Sequence, residues 1–309
     1  MTRPTTALLT AALLLSCGGE TELEPTYPTS GCPPSHERVG GRCTVKEVLI
    51  SGGQFLLGAG HCPHGRILEI PPEVHDCPLA DGPRVVTVKP FWVDVAPQTG
   101  YELLLWHIDV GVKPPPGCES GDVACAGLLY EPVNYSFLGA VYEKSAAVAA
   151  IQKICAHHGK RWLTEVEWEY LATGGGTRMF PWGDRPPTCA DANVDAERCG
   201  AKNADERQVS LVASYPPSPE GIYDLFGGFW EMLAPAPEAY DDAYTPLPLN
   251  LPEQCGGAWQ CEWIPGAPVT AARGASRNTA LEDVRADYRS TTHSGDEGYL
   301  KVRCARDAE

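Results

Sequence analysis

Thirteen cysteines in a chain of 309 residues limit what this sequence can fold into more than any other feature. The first belongs to a different argument from the rest. Cys17 closes the segment "MTRPTTALLTAALLLSC", which has a cationic start at Arg3, an apolar run from Ala7 to Leu15 and small residues after it. That is the form of a secretory signal, and it is too short to span a bilayer. Leu14-Leu15-Ser16-Cys17 resembles the bacterial lipobox, in which the cysteine becomes the lipidated first residue of the mature chain. The competing reading is ordinary signal cleavage with Cys17 discarded. Residues 1–16 are expected to be a lipoprotein signal peptide, and residues 17–31, rich in Gly, Glu, Thr and Pro, a flexible tether. The expected location is the cell envelope, as an exported lipoprotein on the outer membrane or facing the periplasm, held to the membrane by its lipid.

Without Cys17 an even set of cysteines remains in a chain bound for an oxidising compartment, which reads as a disulfide framework. Five pairs are near neighbours: Cys32 with Cys43, Cys62 with Cys77, Cys118 with Cys125, Cys189 with Cys199, and Cys255 with Cys261. Pairing these leaves Cys155 and Cys304, whose bond would close a loop of about 150 residues and stabilise by roughly 4–5 kcal/mol in the chain-entropy model. Other connectivities stay open on sequence alone.

With 43% apolar residues, 32 glycines and 29 prolines, the chain can bury a core and must turn often. A net charge of −16 repels phosphate backbones, so no nucleic-acid partner is expected. A small disulfide module at 32–45 is expected beside one main domain over 46–309. "VLISGGQFLLG" (48–58) reads as two short strands around a Gly-Gly turn, and "VVTVKPFWVDV" (85–95) as another strand pair. Apolar residues at helical spacing across 143–158 predict a helix with Cys155 on its buried face and Gly159 as C-cap. Thr164-Glu165-Val166-Glu167 has capping-box form and should open a second helix, Glu165 to Ala172, ended by Gly174-Gly175-Gly176. The class is α+β, loop-rich and disulfide-stabilised.

Several stretches occur in an order that resembles one family. They are "AHHGKRWLTEVEWEYLATGGG" (156–176), "FPWGDRPP" (180–187), "ADANV" (190–194), "VASYPPSPEGIYDLFGGFWEM" (212–232), "RGAS" (273–276) and "GYLKVRCA" (298–305). Together they are similar to the formylglycine-generating, sulfatase-modifying-factor domain, over roughly residues 46–305. The resemblance implies a C-type-lectin-like α+β fold. It also implies a bond from the cysteine before "GKR" to that of the C-terminal "GFRC" motif, here Cys155 and Cys304.

The same resemblance carries expectations about metals. "GIYDLFGGFWEM" is similar to the family's Gly-Asn-Val-Trp-Glu-Trp motif and keeps Trp230 and Glu231, but the asparagine that helps hold a structural calcium corresponds to Gly228. A second calcium site would use Asn193, the Val194 carbonyl and, from "NADERQ" (203–208), Asp205. Asn193, Val194, Asp205 and Glu231 are thus the calcium candidates. Catalytic members follow "RGGS" with two cysteines four residues apart, which bind copper(I) and activate oxygen to turn a substrate cysteine into formylglycine. Here Arg277 through Arg303 contains no cysteine, so the soft thiolate ligands are lacking and copper is not expected.

The reading that results is a lipid-anchored protein whose non-catalytic domain serves binding or envelope structure, with an unknown protein or glycan ligand. The alternative is an oxygen-dependent oxidase with displaced ligands, either Cys255 with Cys261 or the cluster His61, His64 and His75. A short structural disulfide is the plainer role for Cys255 and Cys261, and solvated loop positions the plainer role for the histidines.

Overall fold

The structure, a computed structural model, describes residues 32–40, 42–58, 84–99, 102, 153–199, 210–234, 271–287, 290–291 and 300–308. The signal segment, Cys17 and the tether lie outside the described residues. So do the upstream part of the helix expected across 143–158 and the cysteines at 62, 77, 118, 125, 255 and 261.

The chain opens with a hairpin, β1 (His36–Val39) and β2 (Arg42–Val45), stapled by the Cys32–Cys43 disulfide. His36 Nε2 lies 3.0 Å from Glu102 Oε1, which ties the hairpin to the main body. β3 (Glu47–Ile50) and β4 (Gly53–Leu57) are the two strands expected on either side of Gly52-Gly53, and β5 (Arg84–Val88) and β6 (Phe91–Asp94) are the second expected pair. Neither pair is a local hairpin. β3 pairs with β6 and β4 with β5, in a single unbroken register from Glu47 opposite Asp94 to Leu57 opposite Arg84. The Gly-Gly turn is a break in one long antiparallel ribbon. Gly52 has φ +68, and a Cβ there would lie 2.2 Å from the Val88 carbonyl oxygen, so the two arms cross too closely for any side chain.

The second half of the chain folds onto this ribbon. β7 (Arg161–Trp162) and β12 (Cys304–Asp307) complete a sheet of order β3-β6-β12-β7, all antiparallel. A further sheet has the order β10-β9-β8-β11, from β8 (Trp230–Leu233), β9 (Ala271–Arg273), β10 (Ser290–Thr291) and β11 (Leu300–Val302), and β11 runs parallel to β8. Lateral pairing therefore puts the C-terminal segment 300–307 into both sheets.

Helix α1 (Glu165–Thr173) begins at the expected capping box: Thr164 Oγ1 accepts from the Glu167 amide while Glu167 accepts from the Thr164 amide. Such a cap contributes ~1 kcal/mol. Its other end closes with Gly174 at φ +57, whose amide donates to the Leu171 carbonyl, and with the Gly175 amide donating to the Tyr170 carbonyl. The helical turn 153–157 ends the same way at Gly159, φ +66, with Lys160 N–H donating to the Cys155 carbonyl. A short helix α2 (Ala196–Cys199) is pinned by the Cys189–Cys199 disulfide.

One core runs through the ribbon, α1 and the loops. Trp168, fully buried, meets Phe226 edge-on at 5.5 Å, and Phe226 meets the stacked pair Phe180 and Trp182. Cys155 and Cys304, both fully buried, form a disulfide with Cα atoms 5.4 Å apart. Among the described residues no helix is long and apolar enough to cross a membrane.

Candidate functional site

The face where the family resemblance places oxidase chemistry is built around β9. Its last residue, Arg273, is delivered into the interior and is 1% exposed. Isolated burial of a guanidinium would be prohibitive, so partners must surround it. Arg273 Nε donates to Glu165 Oε1 at 2.9 Å, Nη2 lies 2.8 Å from Glu165 and 3.1 Å from Glu169, and Nη1 donates to the Ala286 carbonyl at 3.1 Å. Glu169 also accepts from the Gly58 amide. Helix geometry explains the pair, since residues 165 and 169 lie one turn apart on the same face. Burial pushes the Glu169 carboxyl up to about 7, even though Arg273 pulls the other way.

After Arg273 the chain turns at Gly274, φ +88, where a Cβ would lie 2.6 Å from the Leu225 carbonyl oxygen. The stretch beyond is held by its own polar groups. Ser276 N–H donates to Thr279 Oγ1, Asn278 N–H to Ser276 Oγ, and Asp195 N–H to the Thr279 carbonyl. Asp195, at φ +47, accepts from the Arg198 and Leu281 amides and so joins α2 to this segment. Val284 and Ala286 enter the core, and the buried Asp287 pairs with Arg285. Where catalytic relatives carry their sulfur pair, this chain has hydroxyls, amides and apolar packing.

A second buried ion pair links β8 to the C-terminal segment. Arg303 and Glu231 are both 0% exposed. Arg303 Nε donates to Glu231 Oε1 at 2.8 Å and Nη2 to Oε2 at 3.3 Å, while Nη1 and Nη2 also reach the Asp94 and Tyr223 carbonyls. Both carboxylate oxygens of Glu231 are engaged in a two-point pair of the strong kind. Glu231, a calcium candidate from the sequence, has both oxygens paired with Arg303.

The remaining calcium candidates divide. Asn193 accepts from the Gly228 amide at 2.8 Å through its backbone carbonyl and donates to Ser210 Oγ at 3.1 Å through Nδ2. It bridges to Gly227, whose φ is +85 and whose Cβ, if present, would lie 2.7 Å from the Asn193 backbone. Val194 is buried beside it, and Asp205 lies outside the described residues. Into the same corner comes Lys301 from β11, 1% exposed, with Nζ donating to the Asp224 carbonyl and to the Gly227 carbonyl at 3.1 Å. Around Gly228, then, the Asp224 and Gly227 carbonyls face an ammonium, the Gly228 and Asn193 carbonyls accept from backbone amides, and Glu231 faces an arginine. These residues do not fit calcium as placed. No group of three or more His, Cys, Asp or Glu side chains suited to a metal occurs among the described residues. Cys255, Cys261, His61, His64 and His75 lie outside them.

In "GKRW" and the acids of α1, charges of opposite sign flank a helix end and a helix start, where a helix dipole alone would account for them. The structure gives them longer reach. Lys160 Nζ lies 2.5 Å from Asp94 Oδ1 and 3.4 Å from Glu47, and Arg161 bridges Glu167 to Asp307. Each cation fastens α1 or the segment before it to strands far away in sequence. Arg273, Arg303 and Lys301 were missed as a buried charge set. The signal was an arginine opening "RGAS" and two cations at alternate positions in "LKVRC", a pattern that puts both on one face of a strand.

This disulfide-stapled α+β architecture, with a buried arginine locking a helix to the strand before "RGAS", defines a C-type-lectin-like domain of the sulfatase-modifying type. Residues 145–308 match the family described as sulfatase-modifying factor enzyme 1-like domain, and the chain belongs to that family. Among curated proteins it is 26% identical over 294 residues to inactive C-alpha-formylglycine-generating enzyme 2 of Mus musculus, covering 84% of this chain and 85% of that one. It is 36% identical to the formylglycine-generating enzyme of Mus musculus over 83 residues, 25% of this chain and 22% of that one. The solved structure of PvdO from Pseudomonas aeruginosa shares the fold, with a TM-score of 0.53 at 22% identity, covering 85% of this chain and 94% of that one.

Proposed function

We propose that this chain is an exported, lipid-anchored protein whose sulfatase-modifying-factor-like domain carries no oxidase chemistry and acts in binding or envelope structure, toward a protein or glycan ligand. The observation that carries the reading is the donor set after Arg273. Residues 277–303 hold no thiolate, and the Ser276 and Thr279 hydroxyls and the Asn278 amide are committed to folding the start of the segment. Copper(I) is soft and favours sulfur, so this segment lacks the thiolate pair that would retain it. The long match to a relative described as inactive agrees with that reading. A fixed core displaying irregular loops also suits recognition.

Two measurements test it. Purified protein supplied with copper(I), a cysteine peptide and dioxygen is expected to consume no dioxygen and form no formylglycine, and non-reduced peptide mapping is expected to find Cys255 bonded to Cys261. A free, copper-binding dithiol with peptide oxidation would establish the displaced-ligand oxidase instead. Separately, Cys17→Ser is expected to move the protein from the membrane fraction to the soluble fraction of expressing bacteria. Retention in the membrane without that thiol would defeat the lipid anchor.

A further inference from the structure

The corner between Asn193, Asp224, Gly227 and Lys301 contains more than a failed calcium fit. We propose that the Lys301 ammonium is a resident cation seated in an oxygen-lined hole, and that this hole accepts a divalent cation such as calcium only once the lysine is removed.

The argument begins with β11. Its parallel pairing sets Lys301 opposite Glu231, and the side chain runs into the interior toward the loop 224–228. There Nζ donates to two backbone carbonyls, those of Asp224 and Gly227. A small cavity adjoins it, with Asn193, Ser210, Tyr215 and Asp224 on one side, the Phe226 ring on another, and Lys301 at its wall. Two carbonyls point at the ammonium, and the lining residues carry hydroxyl, amide and carboxylate groups besides, the oxygen types that hard cations take.

Charge accounting separates two pairs. The groups acting on Lys301 are Asp224, Glu231 and Arg303. Glu231 and Arg303 neutralise each other through their two-point contact. That leaves the Asp224 carboxylate, which accepts from the Ala213 amide at 2.7 Å and on which Lys301 is the larger and Arg303 the smaller cationic influence. Burial lowers the Lys301 ammonium to about 8, with Glu231 and Asp224 pulling it back up, so it stays mostly charged at neutral pH. Without it the hole would hold a net negative charge, two inward carbonyls and no counter-ion. Asp224 and Gly227, at φ +55 and +85, supply the two carbonyls the lysine meets from left-handed positions, while the Gly228 carbonyl accepts from the Arg277 amide. Gly228 also stands where the family resemblance puts an asparagine, and Lys301 where it puts the glycine of "GFRC". One oxygen ligand is lost and one cation gained in the same corner.

The test compares full-length wild-type protein with Lys301→Gly and Lys301→Met by thermal unfolding in EDTA and in millimolar calcium. In EDTA both variants are expected to melt lower than wild type by about 5 °C or more. Calcium is expected to raise the melting temperature of Lys301→Gly well beyond any shift in wild type. It should do little for Lys301→Met, whose side chain fills the hole without charge. A glycine variant that folds only when calcium is present supports the same conclusion. Equal calcium shifts in wild type and Lys301→Gly, equal rescue of Lys301→Met, a glycine variant as stable as wild type in EDTA, or one unfolded in both conditions would each overturn it. The readout is stability alone, so it is independent of the oxidase assay.

Discussion

Replacing Arg273 by Met is expected to destabilise the domain by about 3–5 kcal/mol at pH 8, enough to threaten folding in a protein whose total stability is about 5–15 kcal/mol. The cost comes less from the lost pairing than from what stays behind. Glu165 and Glu169 would remain in the interior facing each other, with no fork of donors between them. Arg273→Lys restores a charge but not the planar geometry that reaches both acids and the Ala286 carbonyl, and it should fall between the two. The sign of the pH effect follows from Glu169. Its folded carboxyl already titrates at about 7, above the ordinary 4.5, so folding takes up a proton between those values and stability rises as pH falls through that window. Removing Arg273 strengthens that uptake. The penalty of Arg273→Met should therefore shrink from pH 8 to pH 5, as read by urea unfolding at each pH. A penalty under about 1 kcal/mol, or one that does not change with pH, would show that the acids have found other partners.

The second large effect concerns the Cys155–Cys304 bond. Replacing both cysteines by Ala is expected to cost about 4–5 kcal/mol, because the bond closes a loop with a sequence separation of 149. The Cys32–Cys43 bond, with a separation of 11, gives an internal comparison, since chain entropy makes its removal about 2 kcal/mol cheaper. Denaturant unfolding of the two double variants measures the difference directly. Equal costs would mean that stability from these bonds comes from native packing and not from restraint of the unfolded chain.

Features set by near neighbours were legible in the sequence. The capping box at Thr164, the left-handed glycines at 159 and 174 and the strands on each side of Gly52 each follow from a few adjacent residues. The long bond between Cys155 and Cys304 was legible because the other cysteines have close neighbours and because the family resemblance pointed to the same pair. Partners chosen across the fold were not legible. "VLISGGQFLLG" looks like a hairpin because Gly-Gly is a common turn, yet its strands pair with residues 84–94 in one register. No local signal states that a strand prefers a distant partner to its neighbour. The acids of α1 show the same limit. Charged residues at a helix start usually face water, and here Glu165 and Glu169 are buried because an arginine about a hundred residues later arrives beneath them. Glu231 looked like a metal ligand until Arg303 took both of its oxygens.

β12 lies between β6 and β7, in the middle of its sheet, and the eight or so residues leading through it also deliver Lys301, Arg303 and Cys304 to their separate partners. A ribosome making this protein cannot release a half-finished domain that is already locked shut. Until residue 307 has left the exit tunnel, β6 lacks one of its two lateral neighbours, Glu231 lacks its counter-ion and Cys155 carries a free thiol. The domain therefore closes around a segment made after all of its partners, so neither sheet is complete before residues 300–307 are in place.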